Sequence, residues 1–168
     1  MEFEKLIKER SSTRKFSNKE IEEDKLNKIL EAGRIAPTAK NIQPIKIYVV
    51  KTEEGLEKID KASPCRYNAP TVLMICGDKE QAFNKNGNSL ADMDASIVTS
   101  FMMLAATDQG IDNVWVEMFD GNVLKEEFSI PNNLTPVTLL PLGYRESDCP
   151  ISPNHNKRKP LEDLIEYK

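Results

Sequence analysis

The sequence predicts an α/β or α+β domain built on a mixed sheet. Three observations carry this prediction. Helical and strand-like patterns alternate along the 168 residues, residues 71–76 form a continuous apolar run, and residues 90–110 form one long stretch of helix-favouring residues without proline. A chain of this length predicts a single domain covering residues 1–168.

Two helices are predicted at the start of the chain. Residues from about 2 to 10 carry apolar side chains at helical spacing, which predicts a short amphipathic helix. Ser17 and Glu20 are spaced as a capping box, and the second helix that they predict ends at Gly33. Four apolar residues are expected on its inward face: Ile21, Leu26, Ile29 and Leu30.

A loop bounded by two prolines, residues 37–44, leads to the first predicted strand. Residues 46–50 are β-branched and aromatic, which favours a strand, and a weaker helix is predicted at 55–61. The apolar run at 71–76 follows Pro70 and is typical of a strand that is buried on both faces. We therefore expect this strand in the centre of the sheet.

The long helix at 90–110 is preceded by a polar stretch, residues 78–88, which predicts a mobile loop. Apolar residues circle the axis of the helix, so it must be covered on all sides. Its uncharged run is shorter than the roughly 20 residues that a bilayer requires, and Gly110 supplies a C-terminal cap. These features favour a homodimer with the helix at or near the interface, while a central helix in a monomer remains the alternative.

The last third of the chain alternates short elements. Residues 114–116 predict a short strand, residues 122–128 a short helix, and residues 137–142 a final apolar strand. Pro141 interrupts that strand, which favours an edge position or a bulge near this residue. Residues from about 144 to 168 are rich in proline and charge, and they predict a C-terminal arm or a final short helix.

The composition argues against several kinds of partner and site. The formal net charge is −4 with acidic and basic residues interspersed, which argues against nucleic-acid binding. The N-terminus is charged from its second residue and has no apolar signal region, so we expect a cytoplasmic protein without a membrane partner. Three widely spaced cysteines and one histidine predict reduced thiols and no metal site, with Cys65 and Cys76 as buried apolar residues.

The common enzyme signatures are absent. Neither GxGxxG after a strand nor GxxxxGK[ST] occurs, which argues against a Rossmann dinucleotide site and a P-loop. HExxH and GxSxG are also missing, and His155 is the single histidine available for an acyl-transfer triad. If the protein is an enzyme, we therefore expect a cofactor to carry the chemistry and no side chain to have a dominant catalytic role.

Three polar segments are candidate ligand sites. In residues 10–14, two arginines bracket two serines and suit a phosphate, although the same residues would also complement the dipole of the first helix. Asn41 and Gln43 carry amides that suit the pyrimidine edge of a flavin or a nucleobase, although they would also fit an ordinary loop. The basic run 157–159 either closes over the same anion or lies on a solvated surface.

The joint order and spacing of these segments resemble the flavin-dependent nitroreductase family, in its short-chain branch. The matching stretches are R10-S-S-T-R14-x-F16, A36-P-T-A-x-N41-x-Q43-P44, D94-A followed by L104-A-A-x-x-x-G110-I, W115-V-E-M-F119, P141-L-G-Y144 and R158-K-P-L161. The resemblance spans nearly the whole chain. Ile45 departs from the aromatic residue that is frequent after Gln-Pro, Met118 from a frequent glycine, and Ser11 from a frequent arginine or histidine.

The resemblance implies an α+β fold, a three-layer α/β/α sandwich with a mixed, mostly antiparallel sheet and a long central helix, assembled as an intertwined homodimer. It also implies one FMN in each of two sites at the dimer interface. Residues at matching positions hold the FMN phosphate and ribityl chain: Arg10, Ser11, Ser12 and Arg158.

Other matching residues would surround the flavin ring. Arg14 would lie beside N1 and O2, where a cation stabilises the negative charge that two-electron reduction leaves near N1. Glu117 and Met118 would direct backbone amides at N5 and O4. Residues implied to come from the other subunit line the ring and its substrate face: Pro37, Thr38, Ala39, Asn41 and Gln43.

The function that the resemblance implies is an FMN-dependent oxidoreductase. It would transfer a hydride from NADH or NADPH, through flavin N5, to a nitroaromatic, a quinone or another conjugated acceptor by a ping-pong mechanism. Two alternatives stay open: a flavin-binding protein without turnover, and a family relative with a different flavin reaction such as reductive dehalogenation. A domain that binds some other phosphorylated ligand is a third.

Overall fold

The computed structural model describes residues 2–168 and is built on a four-stranded sheet with the strand order β1-β2-β6-β5. The helices are α1 (Phe3–Glu9), α2 (Glu23–Ile35), α3 (Glu53–Ala62), α4 (Ala91–Asp108) and α5 (Gly121–Glu127), with short 3-10 helices at Ala39–Asn41 and Leu161–Asp163. The strands are β1 (Ile45–Val50), β2 (Thr71–Asp78), β3 (Asn84–Lys85), β4 (Asn88–Ser89), β5 (Asp112–Asn113) and β6 (Leu134–Gly143).

Strand β2 occupies the centre of the sheet, as its apolar run predicts. All eight of its residues are buried, and it pairs antiparallel with β1 on one side and with β6 on the other. Neighbouring residues of a strand point to opposite faces, so each face of β2 meets a different core. Met74 and Cys76 belong to one cluster, whereas Leu73 and Ile75 belong to the other.

The two cores define three layers. On one face, the sheet packs against α3 and α5, with Ile59 and Leu124 fully buried. On the other face, it packs against α2 and α4, with Ile29 and Met102 fully buried. The expected α+β sandwich is confirmed, and its named strand pairs are all antiparallel. Within residues 2–168, the one parallel bridge joins Ser12 and Asn113.

Helix α4 ends where the sequence predicts, at a glycine cap. Gly110 has a φ of +70°, its N–H donates to the carbonyl of Thr107 at 3.0 Å, and the N–H of Ile111 donates to that of Ala106 at 2.8 Å. These two bonds form a Schellman motif, which satisfies carbonyls at the helix end. No helix within residues 2–168 is long and apolar enough to cross a bilayer.

The predicted capping box of α2 is wrong. The helix begins at Glu23, its N-cap residue Glu22 makes no side-chain capping bond, and it continues two residues beyond Gly33. The N–H of Ser17 instead donates to the carbonyl of Tyr144 at 2.8 Å. A long-range bond to Tyr144, directly after β6, therefore takes precedence over the local capping pattern, and residues 17–22 are not helical.

Pro141 lies neither on an edge strand nor at a bulge. The bulge of β6 lies at Val137, because Pro136 pairs with Cys76 and Thr138 pairs with Ile75. The carbonyl of Pro141 accepts from the N–H of Val114 at 3.3 Å, so the missing N–H of the proline faces this outer segment rather than β2. The proline therefore removes no hydrogen bond from the central strand.

Two predicted boundaries also change. The stretch 78–88 leads into the hairpin β3–β4 at residues 84–89, whose two-residue loop has positive φ at Asn86 and Gly87, as a type I′ turn requires. The strand expected at 114–116 lies two residues earlier as β5, although Val116 still forms a bridge with Leu139. The Asn86-Gly87 pair is a strong hairpin signal, but the residues around it are polar, and this composition predicted a loop instead.

Candidate functional site

The first candidate segment, residues 10–14, follows α1 and is fixed beside strand β5. The N–H of Thr13 donates to the carbonyl of Asn113 at 3.0 Å, and Ser12 forms a parallel bridge with the same residue. Ser11 and Thr13 are buried, Arg10 and Ser12 are half-buried, and Arg14 is exposed. The segment therefore directs its arginines outward from an anchored backbone.

The C-terminal arm brings a third arginine to this segment. The Nε2 of His155 donates to the carbonyl of Lys8 at 2.9 Å, which ties the arm to the end of α1. Arg158 then donates to the carbonyl of His155 at 2.5 Å and to that of Lys157 at 2.8 Å. A cavity of about 210 Å³ results, and its lining residues are Arg10, Ser11, Ser12, Arg14, Ser152, Asn154, His155 and Arg158.

The charges around this arginine cavity are unbalanced. Three of the six arginines of the chain form ion pairs with carboxylates: Arg34 with Glu31, Arg66 with Asp60 and Arg145 with Asp112. Within residues 2–168, the other three have no carboxylate within 4.0 Å, and all three line the cavity: Arg10, Arg14 and Arg158. Although the net charge is −4, no acidic side chain of the described residues lines this cavity.

Two arginines of the cavity, Arg10 and Arg158, lie close enough to repel each other. Burial lowers the pKa of Arg10 below its usual value, and the nearby charge of Arg158 lowers it further. An anion between the two guanidinium groups would relieve both effects, and the serine hydroxyls add further donors. The donor set therefore fits a phosphate group.

Arg145 supports this segment, and no motif in the sequence marks it as a site residue. Its Nε donates to Asp112 at 3.0 Å, and its Nη2 donates to the hydroxyls of Ser11 and Thr13, both at 2.6 Å. It follows the P141-L-G-Y144 stretch directly, but nothing in its local pattern shows that residues more than 130 positions away are its partners.

The second candidate segment, residues 37–43, is a strained loop. Lys40, Asn41 and Gln43 all have positive φ between 53° and 57°, a region that side chains other than glycine rarely adopt. Hydrogen bonds hold it: the N–H of Gln43 donates to the Thr38 hydroxyl at 2.9 Å, and the N–H of Ala39 donates to a carboxylate oxygen of the buried Asp94 at 2.9 Å.

The side chains of this loop face outward. Pro37, Asn41 and Gln43 are exposed, and the amide of Gln43 donates to the side-chain oxygen of Asn41 at 3.2 Å. Thr38 and Gln43 line a separate cavity of about 310 Å³ between α2 and β1. Within one chain, the loop therefore does not share a cavity with Arg10, Arg14 and Arg158.

The third candidate segment contains Glu117 and Met118. The hydroxyl of the buried Ser63 donates to the carbonyl of Met118 at 2.6 Å, which fixes the orientation of this backbone. The N–H of Phe119 donates to the carbonyl of Glu117 at 3.1 Å, whereas the N–H groups of Glu117 and Met118 donate to no acceptor within residues 2–168. These two amides are therefore available to a ligand.

Tyr67 lies between Arg14 and the third segment. A hydrogen bond with Cys65, together with burial, raises the pKa of Tyr67, and the charge of Arg14 opposes this rise. The sulfur of Cys65 lies 3.9 Å from that of Met118. Cys65 is half-buried at this contact, so only Cys76 of the two cysteines expected in the core is buried.

The structure thus brings Arg10, Ser11, Ser12, Arg14 and Arg158 into one cavity. It places the other candidate residues outside that cavity, on two further surfaces: Pro37, Thr38, Ala39, Asn41 and Gln43 on one, and Glu117 and Met118 on the other. No group of histidine, cysteine and acidic side chains within residues 2–168 has the arrangement of a metal site.

Comparisons with known proteins agree with this fold. The sequence profile described as "Nitroreductase family" matches residues 7–66 and 62–144. A crystal structure of a nitroreductase family protein from Clostridium difficile 630 is 41% identical with a TM-score of 0.94, and the match covers 100% of this chain and 99% of that one. A nitroreductase family protein from Clostridium novyi NT is 33% identical with a TM-score of 0.81, over 88% and 87% of the two chains.

A relative from Archaeoglobus fulgidus, named "Putative NADH dehydrogenase/NAD(P)H nitroreductase", is 30% identical over 86% of each chain. The profile match covers most of the sequence, and these likenesses extend over nearly all of it. The chain belongs to the nitroreductase family of enzymes.

Proposed function

We propose that this chain is an FMN-dependent oxidoreductase that uses NADH or NADPH to reduce a small conjugated acceptor. One observation carries the proposal: the three arginines without a carboxylate partner line a single cavity. Separated like charges would be more stable than gathered ones, so their gathering is explained by an anionic ligand. The name of the Archaeoglobus fulgidus relative supports a nicotinamide substrate.

The phosphate of FMN fits the arginine cavity. Arg10 and Arg158 would bind it with charge-assisted hydrogen bonds, and the hydroxyls of Ser11 and Ser12 would add neutral donors. The arm contributes Arg158, so binding of the phosphate would also hold residues from about 144 to 168 against the rest of the single domain. No carboxylate lines the cavity to oppose the ligand.

A second copy of the chain would complete the ring site. The loop at 37–43 presents its amides on another surface of the same chain, which is consistent with contact to the flavin bound by a partner. The outer stripe of α4 supports such a homodimer, because two of its large apolar side chains, Met93 and Phe101, are 58% and 40% exposed.

Bound FMN would supply the two-electron chemistry, in which a hydride from NADH or NADPH is taken up at N5 and then passed to the acceptor. Arg14 would place a positive charge at the N1 side of the ring, and the free amides of Glu117 and Met118 would donate to N5 and O4. No side chain needs to act as an acid or base if solvent supplies protons. The nicotinamide and the acceptor would therefore use one face in turn, as a ping-pong mechanism requires.

The acceptor class follows from the exposure of this region. Met118 is 67% exposed and the surrounding surface is open, so the chain imposes little shape selection on the acceptor. A nitroaromatic, a quinone or another planar conjugated electrophile would be accommodated. We place this reaction in the cytoplasm, where NADH and NADPH are available.

Anaerobic mixing of the FMN-loaded protein with NADH or NADPH tests the proposal. Rapid bleaching of the oxidised flavin absorbance, followed by its return on addition of a quinone or a nitroaromatic, is the expected result. A yellow protein that reacts with neither nucleotide would identify a flavin-binding protein without turnover. A colourless protein that does not bind added FMN would indicate another phosphorylated ligand and would overturn the proposal.

A further inference from the structure

Arg145 contacts the arginine cavity indirectly. Its side chain is 19% exposed and does not line the cavity, but its Nη2 donates to the hydroxyl of Ser11, which does. Its charge is balanced by Asp112, with 3.0 Å between nitrogen and oxygen. Any effect of Arg145 on a bound anion must therefore act mainly through the groups to which it donates.

The two hydroxyls that Arg145 contacts differ in how they use their protons. A hydroxyl has one proton to donate and two lone pairs to accept with, and a guanidinium can only donate. Thr13 accepts from Arg145 and donates its own proton to Asp112 at 2.9 Å. Ser11 also accepts from Arg145, but its proton has no acceptor within residues 2–168.

The proton of Ser11 is thus directed away from Arg145. With one lone pair of its oxygen engaged at 2.6 Å, the hydroxyl has to point its proton elsewhere. Ser11 lines two cavities, the arginine cavity and a smaller one of about 170 Å³ that Glu9 and Asp112 also line, and of these two the arginine cavity is the one whose charge attracts an anionic acceptor. A serine without such a donor would rotate among several orientations and would offer its lone pairs to the anion in some of them.

We propose that Arg145 is a positioning residue that orients the Ser11 hydroxyl as a hydrogen-bond donor to the ligand's phosphate group. This inference rests on the proposed function for the identity of the phosphate, which belongs to FMN. Asp112 completes the arrangement in two ways. It neutralises Arg145, and it engages the proton of Thr13 so that Thr13 and Ser11 do not compete for one acceptor.

A double-mutant cycle on FMN affinity tests this role. The variants are S11A, the paired change R145M/D112N, which leaves no unpaired buried charge, and the combination of all three. We expect S11A and R145M/D112N each to weaken FMN binding about tenfold, the loss of one hydrogen bond to a charged group. The triple variant should bind FMN no more weakly than S11A. Multiplied losses near a hundredfold would show that Arg145 acts independently of Ser11 and would overturn the inference.

Riboflavin, which has no phosphate, provides a ligand control. Its affinity should change less than twofold in all three variants, because only the phosphate contact is altered. An equal loss for FMN and riboflavin would mean that the substitutions act on the whole fold. R66M/D60N is the matched protein control: Arg66 is 17% exposed and forms the same type of ion pair, but it lies outside the cavity. It should lower thermal stability and leave FMN affinity unchanged.

Two further measurements keep the test decisive. If R145M/D112N does not fold, R145K replaces it; the single ammonium keeps the charge but cannot reproduce the fork, so FMN binding should weaken by an intermediate factor.

The same variants are also titrated with inorganic phosphate and followed by ³¹P NMR. If wild-type protein binds phosphate but not FMN, the proposed function fails, while coupling between Arg145 and Ser11 is still measured. Absence of binding to either ligand would overturn both proposals.

Discussion

Arg14 differs from the other two unpaired arginines in its surroundings. Arg10 and Arg158 lie close enough to repel each other, whereas Arg14 is exposed and acts electrostatically on Tyr67, which in turn contacts Cys65. The sulfur of Cys65 lies 3.9 Å from the sulfur of Met118. At the scale of single residues, the proposed phosphate and ring regions are therefore connected through Arg14.

Replacement of Arg14 by alanine should separate binding from redox tuning. FMN should still bind, because Arg10 and Arg158 remain, but its reduction potential should fall by on the order of 30 mV, which corresponds to a tenfold change for a two-electron couple. Spectroelectrochemical titration of the bound flavin measures this shift. Arg14→Lys, which keeps the positive charge, should restore most of it. An unchanged potential in Arg14→Ala would show that this cation does not stabilise the reduced ring.

At the scale of elements, helix ends are fixed by different kinds of contact. The end of α4 is fixed by contacts between neighbouring residues, because Gly110 adopts a φ of +70° and the Schellman motif is completed by the N–H of Ile111. The start of α2 is fixed by contacts between distant residues, because Tyr144, which follows β6, forms hydrogen bonds with both Ser17 and Glu22. This difference explains why the sequence predicted the first boundary and not the second.

Gly110→Ala should destabilise the protein by about 1 kcal/mol, because a side chain at positive φ is strained even where space is open. No atom of residues 2–168 lies within 4 Å of the position of an added Cβ at Gly110, so these residues contribute no steric clash. Urea unfolding measures the change. Gly121→Ala is the control, since Gly121 begins α5 without positive φ and its nearest neighbour would be 4.0 Å away. That variant should be neutral or slightly stabilising.

The contact between Glu22 and Tyr144 predicts a pH dependence. Hydrogen bonds lower the pKa of Glu22 from 4.5 to about 2, first from the Tyr144 hydroxyl, then from the backbone of Glu22 itself, and to a smaller extent from Lys25 and Lys19. A lowered pKa means that the carboxylate stabilises the folded state above pH 4.5, and this contribution is lost as the pH falls towards 2.

Glu22→Gln should therefore reduce the slope of stability against pH between 4.5 and 2. Urea unfolding of both proteins across this range at low salt measures it, because salt screens this exposed contact. Equal slopes in the two proteins would contradict the assignment. Glu4→Gln serves as a control for the loss of one exposed carboxylate elsewhere in the chain.

At the scale of the whole molecule, two features are incomplete in a single chain. The proposed ring residues at 37–43 lie outside the arginine cavity, and an apolar stripe of α4 remains uncovered. The C-terminal arm adds further exposed apolar side chains, with Leu161 and Leu164 exposed by 66% and 65%. A second copy that packs against these surfaces would complete the site and cover the helix.

Phe101→Glu should convert a homodimer into monomers, because it places a charge in the apolar stripe of α4 without disturbing the buried face. Size-exclusion chromatography with light scattering measures the mass, and FMN affinity should fall together with dimer content. Asn122→Glu adds the same charge to the exposed start of α5, on the opposite face of the sheet, and should leave the mass unchanged. A wild-type protein that is monomeric would contradict the proposed assembly.

The sequence by itself determined the central strand, the long helix and its glycine cap, and the family resemblance that pointed to Arg10 and Arg158. These features are local patterns of hydrophobicity, backbone conformation and residue type, which are legible without knowing what lies nearby. It could not show the true start of α2, the position of the bulge at Val137 or the role of Arg145.

Only the tertiary structure decided those points, because each depends on partners distant along the chain. Ser17 is tied to Tyr144, Val137 is displaced by the register with β2, and Arg145 meets Ser11 across 134 positions. The arginine cavity itself shows the same limit. The resemblance grouped Arg10, Ser11, Ser12 and Arg158 around one phosphate, but the absence of a carboxylate from this cavity, within residues 2–168, is a property of three-dimensional neighbours, and that absence favours an anion.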